Sequence, residues 1–245
     1  MVTKTAEKES SASTSKSSPA GTRIGVALSG GGFRASFYHL GTIRYLEEVG
    51  IMPRVEVMST VSGGSIIGAY YLVQMEKKLR ADRNRNRLEA CDEIIDEFAA
   101  EVDRNFRMRA LVFYPFYHPI QFLLRLFLQR HGGDVMAQSF QRRLYRPALR
   151  IGDLPVQVVD KDKNIIGTKL LLNTASLING RRVVYSRESD TGINAQIAKS
   201  DPNNIPLARA VAASAAVPGL FKPLRIGDKV LMDGGVVDNQ GIESL

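Results

Sequence analysis

Two short runs carry the residue types that acyl-transfer chemistry requires: Val61-Ser62-Gly63-Gly64-Ser65 early in the chain and Met232-Asp233-Gly234-Gly235-Val236 close to its end. The first has the make-up of a sharp strand-to-helix turn that presents a serine hydroxyl as a nucleophile, and the second could bring a carboxylate to it. A third run, Gly30-Gly31-Gly32-Phe33-Arg34-Ala35, follows the apolar segment Ile24-Gly25-Val26-Ala27-Leu28. Its glycines leave backbone N–H groups free to point into a site. With the positive end of a helix starting near Phe33, those amides can stabilise the oxyanion formed when a hydroxyl attacks an ester carbonyl. Each run also has an ordinary reading. Ser-Gly-Gly and Asp-Gly-Gly are common turns, and a glycine cluster between strand and helix can cradle phosphate. Both nucleotide fingerprints are incomplete, since no Gly-Lys-Ser/Thr follows the glycines and Ala35 stands at the third glycine position of Gly-x-Gly-x-x-Gly.

The elements that must position these groups are legible in the hydrophobic pattern. Strands are expected near 23–29, 54–59, 169–175, 182–186 and 229–232, and helices near 33–48, 64–80, 87–105 and 204–213. That alternation implies an α/β fold with a mostly parallel central sheet between helical layers. Ser62 then falls at a strand-to-helix junction, where the residues two before and two after should be small. Gly64 meets that need and Thr60 only partly. Lys229-Val230-Leu231-Met232 reads as a strand ending at Asp233, and Gly234 and Gly235 permit a close turn that aims the carboxylate. Asp238 and Asn239 are expected to brace that loop or cap the next helix.

A Ser-His-Asp triad needs a histidine, and the chain has three: His39, His118 and His131. In the α/β-hydrolase order the histidine follows the acid, and none follows Asp233. A Ser-Asp dyad accounts for the residues better. Asp233 must then accept the serine proton directly, which demands that burial among apolar groups raise its pKa.

Five segments, in order, resemble the patatin-like phospholipases and lipid acyl hydrolases: Gly30 to Ala35 with Gly41, Ser62 to Ser65, Leu172 to Ser176 leading to Gly180-Arg181-Arg182, Ala208 to Phe221, and Asp233 to Asn239. The likeness covers about residues 22 to 242. It implies a patatin-like fold with a serine nucleophile elbow, Ser62 as nucleophile, Asp233 as its dyad partner, and an oxyanion hole from the Gly31, Gly32 and Gly63 amides. Arg34 would sit beside that hole. The implied substrate is a phospholipid or another acyl lipid, and acyltransfer or a catalytically silent lipid-binding role would use the same fold. Ala35 and Thr60 stand where the family often has glycine.

With 245 residues, 44% hydrophobic and 24% charged, the chain is long enough for one domain with a substantial core. A single cysteine, Cys91, excludes an internal disulfide framework. No Cys/His cluster has metal-ligand spacing, and the chemistry envisaged needs neither metal nor cofactor. Residues 1–21, Ser- and Lys-rich, are expected to be disordered, leaving 22–245 as the domain. They lack the apolar core of a secretory signal, so the expectation is a cytoplasmic protein that associates peripherally with membranes. The chain stops shortly after Asp233, which suggests a fragment of a longer protein or a shortened one.

The most apolar stretch, Leu111 to Leu128, contains two prolines and Arg125 and makes a poor transmembrane helix. With Arg130, Arg142, Arg143, Arg146 and Arg150 after it, the stretch suits either a lipid-facing lid or a buried helix. A formal net charge of +8 favours an anionic membrane surface as partner, and no nucleic-acid motif accompanies it.

Overall fold

A computed structural model describes residues 24–103, 132–154, 158–159, 165–187 and 204–245. Residues 1–21, the apolar stretch 111–128, His118, Arg130 and His131 lie outside them, so the readings made for those residues stand as expectations.

The chain runs β1 (Ile24–Leu28), α1 (Gly32–Glu48), β2 (Val55–Val61), α2 (Gly63–Ala81), α3 (Arg87–Asp103), α4 (Gly132–Arg143), β3 (Val158–Val159), β4 (Ile165–Ile166), β5 (Lys169–Ser176), β6 (Arg182–Tyr185), α5 (Leu207–Ser214), β7 (Leu224–Ile226) and β8 (Lys229–Asp233). The helix expected near 204–213 begins only at Leu207, after Pro206 at its N-cap. Helix α4 and strand β7 were not legible in the sequence. Two glycines open α4, yet Met136, Ala137 and Phe140 bury one face of it. Strand β7 has only three residues, too short for an alternation to register.

A parallel unit, β1–β2–β5, forms the heart of a sheet flanked by helices, and β6, β8 and β7 extend it antiparallel. Strand β5 is central: Leu170 to Ser176 are all buried, as a strand covered on both faces requires. Helices α1, α2 and α3 pack on one another, and α5 packs on α4, β5 and β8. Leu28, Ile43, Met58, Ile67, Tyr71, Ile94 and Phe98 belong to one continuous hydrophobic core. Burial of each such side chain contributes about 1.5–3 kcal/mol against chain entropy.

One detail of register positions the site. Strand β2 runs along β5 until Val61 pairs with Asn173, and β8 comes the other way until Asp233 pairs with Thr174. Strand β6 pairs with Leu172 to Ala175, so it occupies the other edge of β5. Strands β2 and β8 therefore share one edge of β5 and meet end to end at Asn173 and Thr174. The two residues expected to react sit at those meeting ends.

Candidate active site

Ser62 follows β2 directly and has φ 50° and ψ −116°, the one positive φ outside glycine among the described residues. Such a conformation costs about 1–3 kcal/mol and persists only where the surroundings enforce it. Three glycines make the enforcement possible. A Cβ on Gly63 would overlap the Gly32 carbonyl, one on Gly64 the Leu28 carbonyl, and one on Gly68 would lie 2.7 Å from the Thr60 methyl. The elbow accommodates Thr60 by leaving room in the helix instead of in the strand. The Thr60 hydroxyl donates to the Leu171 carbonyl (2.8 Å) and accepts from Ser65 (3.0 Å), so no polar group is stranded.

Asp233 ends β8 almost fully buried, with the Ser62 side chain close enough to its carboxyl to hold the pKa down in part. The Gly235 N–H donates to Asp233 Oδ1 at 2.7 Å, and the Asp233 N–H is held by the Ala216 carbonyl at 3.0 Å. Burial pushes the carboxyl above its ordinary range, and the nearby Ser62 side chain and the Gly235 N–H offset only part of that rise. Among the described residues no cation pairs with Asp233. Gly234 lies against the Asn173 carbonyl, where a Cβ would overlap it. Asp238 accepts from the Gln240, Gly241 and Glu243 amides and lies 3.5 Å from Arg182, which makes it the brace of the loop and the anchor of the short helical turn Ile242–Ser244.

The glycine loop divides its work. Gly30 does not offer a free amide, because its N–H donates to the Asn239 carbonyl at 2.9 Å. A side chain there would collide with Asn239 Oδ1 and crowd Ser62 Cβ at 3.3 Å, so Gly30 ties the loop to the Asp233 segment. Gly31 (φ 139°) and Gly32 (φ 63°) are exposed at the start of α1 and use conformations open to glycine. The Ser36 hydroxyl donates to the Gly63 carbonyl (2.7 Å) and reaches the Gly32 carbonyl (3.3 Å), which clamps the loop to the elbow. That leaves the Gly31, Gly32 and Gly63 amides, for which no acceptor is present among the described residues, as candidate oxyanion donors. Arg34 is exposed one turn away.

His39 takes no part in a triad. Its Nε2 lies 3.0 Å from the Ser29 carbonyl and 3.4 Å from Ser29 Oγ, and burial holds its pKa below the usual value. It pins α1 to the end of β1. Among the described residues no histidine bonds to Ser62 or Asp233.

Behind Ser62 and Asp233 lie buried polar groups that the sequence did not single out. Asn173 donates to Ser59 Oγ (2.9 Å) and the Thr60 carbonyl (3.0 Å) and accepts from Ser244 (2.5 Å). Ser214 accepts from the Ser62 N–H. The available signal was a lone polar residue inside an apolar element, Asn173 after Leu170-Leu171-Leu172 and Ser214 among alanines. Val217 and Leu220, just after Ala216, and Val236 and Val237, just after Asp233, are exposed apolar side chains.

A buried serine–aspartate pair at the meeting ends of two strands, beside a glycine loop, is the setting in which family membership can be tested. The sequence profile of the family described as patatin-like phospholipase matches residues 26–245. The chain belongs to that family. Among solved structures, the fold is similar to VipD from Legionella pneumophila (17% identity, 89% of this chain, 46% of that one, TM-score 0.41). It is also similar to human GIVD cytosolic phospholipase A2 (13% identity, 79% of this chain, 28% of that one, TM-score 0.44). The chain spans less than half the length of each. No curated protein sequence matches significantly. No described helix is long and apolar enough to cross a membrane.

Proposed function

We propose that the chain is a lipid acyl hydrolase, of phospholipase A type, working through a Ser62–Asp233 dyad. The observation that carries this reading is Ser62 placed beside a buried carboxylate that meets no cation among the described residues, at the ends of two strands that meet on β5. A carboxylate in water is a poor base for an alcohol; desolvation makes Asp233 a better one. In the forward step Ser62 Oγ attacks the acyl carbonyl carbon as Asp233 takes its proton. The negative charge gathers on the carbonyl oxygen, facing the Gly31, Gly32 and Gly63 amides and the positive end of α1. Collapse breaks the ester bond, and the alkoxide leaving group takes the proton from Asp233. Water, deprotonated by the same carboxylate, then attacks the acyl-serine; the bond to Ser62 Oγ breaks, Asp233 returns the proton to Oγ, and the fatty acid is released. No step calls on a metal or cofactor.

The exposed Val217, Leu220, Val236 and Val237 favour a long acyl chain over a small polar ester. With the excess of basic residues they fit a protein that works at an anionic membrane surface from the cytoplasmic side. The test is fatty-acid release from phospholipid vesicles and from a short-chain ester, with Ser62→Ala and Asp233→Ala run in parallel. The expected result is release by the unmutated chain and loss on the order of a thousandfold or more in both variants, with folding intact. Equal release by the variants would overturn the dyad. Product appearing only with an added alcohol would reassign the chemistry to acyl transfer.

A further inference from the structure

The strained backbone of Ser62 needs a restraint beyond the glycines that make room for it, and one hydroxyl supplies it. Ser214 sits at the C-terminal end of α5, wholly buried, and its Oγ accepts the Ser62 N–H at 3.1 Å. The same oxygen donates to the Asn173 carbonyl at 2.6 Å and lies 2.8 Å from Ser65 Oγ. The protons of this cluster can be placed. A carbonyl only accepts, so the Ser214 proton is committed to Asn173 and the Thr60 proton to Leu171. Ser214 Oγ therefore shows only lone pairs to the Ser62 N–H, and Ser65 supplies one proton that Thr60 and Ser214 share.

We infer that Ser214 is a positioning residue for the reaction, a fixed acceptor that holds the Ser62 N–H inward and so aims Oγ at Asp233. Its second bond reaches the residue that sets the Asp233 side. The Asn173 carbonyl that receives the Ser214 proton is the atom against which Gly234 packs. Through a single hydroxyl, α5 thus fixes the nucleophile relative to the strand that carries both halves of the dyad. Holding the Ser62 amide inward also keeps it out of the oxyanion site, which leaves the Gly63 amide, one residue on, to face the substrate.

The inference rests on the hydrolase reading, and the experiment separates the two. Ser214→Ala removes the acceptor and leaves the Ser62 N–H without a partner in a closed site. Ser214→Cys keeps the shape but offers a weak acceptor. Thr168→Val removes a buried hydroxyl that donates to the Val55 carbonyl at the far end of β5, and serves as the control for a purely structural loss. Three quantities are read: kcat and KM on a short-chain ester, the rate at which a fluorophosphonate labels Ser62, and hydrogen-exchange protection of the Ser62 amide. In Ser214→Ala, kcat and labelling should fall about tenfold or more with KM within about twofold, and the Ser62 amide should lose protection. Ser214→Cys should lie between, and Thr168→Val should keep the unmutated rates. Unchanged labelling in Ser214→Ala, or a loss matched by Thr168→Val, overturns the positioning role. If the unmutated chain neither hydrolyses nor labels, the hydrolase reading fails, while amide protection still decides whether Ser214 holds Ser62.

Discussion

Glu47 and Asp233 are both carboxylates withdrawn from water, and the protein treats them in opposite ways. Glu47, on α1, is met by Arg87 through two bonds of 3.0 and 2.7 Å and by the Tyr71 hydroxyl, so its charge is answered on every side. Asp233 accepts from one amide beside the Ser62 side chain, and meets no cation among the described residues. The first arrangement stitches α1, α2 and α3 together; the second leaves a carboxylate without a counter-charge. Compensation makes a buried acid inert, and its withholding makes one reactive.

The sharpest way to break that contrast is to neutralise each acid in turn. Asp233→Asn should lower ester hydrolysis on the order of a thousandfold while the thermal midpoint at neutral pH holds or rises, because asparagine still accepts from Gly235 without a desolvated charge. Glu47→Gln should do the reverse. Arg87 would lose its counter-charge, stability in urea should drop by about 3 kcal/mol, and kcat per folded molecule should stay as it was.

Titration sharpens the same comparison. Because the folded protein holds the Asp233 proton more tightly than the unfolded chain does, stability falls as pH rises from the ordinary aspartate value, about 3.9, through the raised folded value. Activity should climb over that same interval as the base is freed. The stability difference between Asp233→Asn and the unmutated chain, followed by urea unfolding from pH 4 to 7, should grow in favour of the variant. A constant difference would show that Asp233 ionises normally.

The smallest change in stability concerns the elbow. Ser62→Gly should abolish hydrolysis yet raise stability by about 1 kcal/mol, since glycine adopts φ 50° without the strain a Cβ imposes. A destabilised Ser62→Gly would mean that the serine conformation is comfortable.

Much of this was legible before any coordinates. The strands leading to Ser62 and Asp233, the helix after Ser62 and the glycine loop all announce themselves to within a residue or two, because local propensity and turn chemistry agree there with the final fold. The role of Gly30 was not legible, since the acceptor of its amide, Asn239, comes from the far end of the chain. The tolerance of Thr60 was hidden for a similar reason: the space that admits its methyl is made by Gly68, a turn into the next helix. Ser214 and Asn173 look like minor polar interruptions in apolar elements until tertiary packing brings them together. Hydrogen bonds between distant segments leave no period in a sequence, and the elements they join do.

The end-to-end meeting of β2 and β8 on one edge of β5 has a consequence for the timing of activity. A ribosome delivers the serine and its glycine loop early, while the carboxylate emerges only with β8, which must then slot into the length of β5 that β2 leaves open. Until that ladder closes, the nascent chain carries a serine without the carboxylate that the fold sets beside it. Under the proposed mechanism the pair is complete only once β8 is seated beside β2, so the chemistry waits on that step of folding.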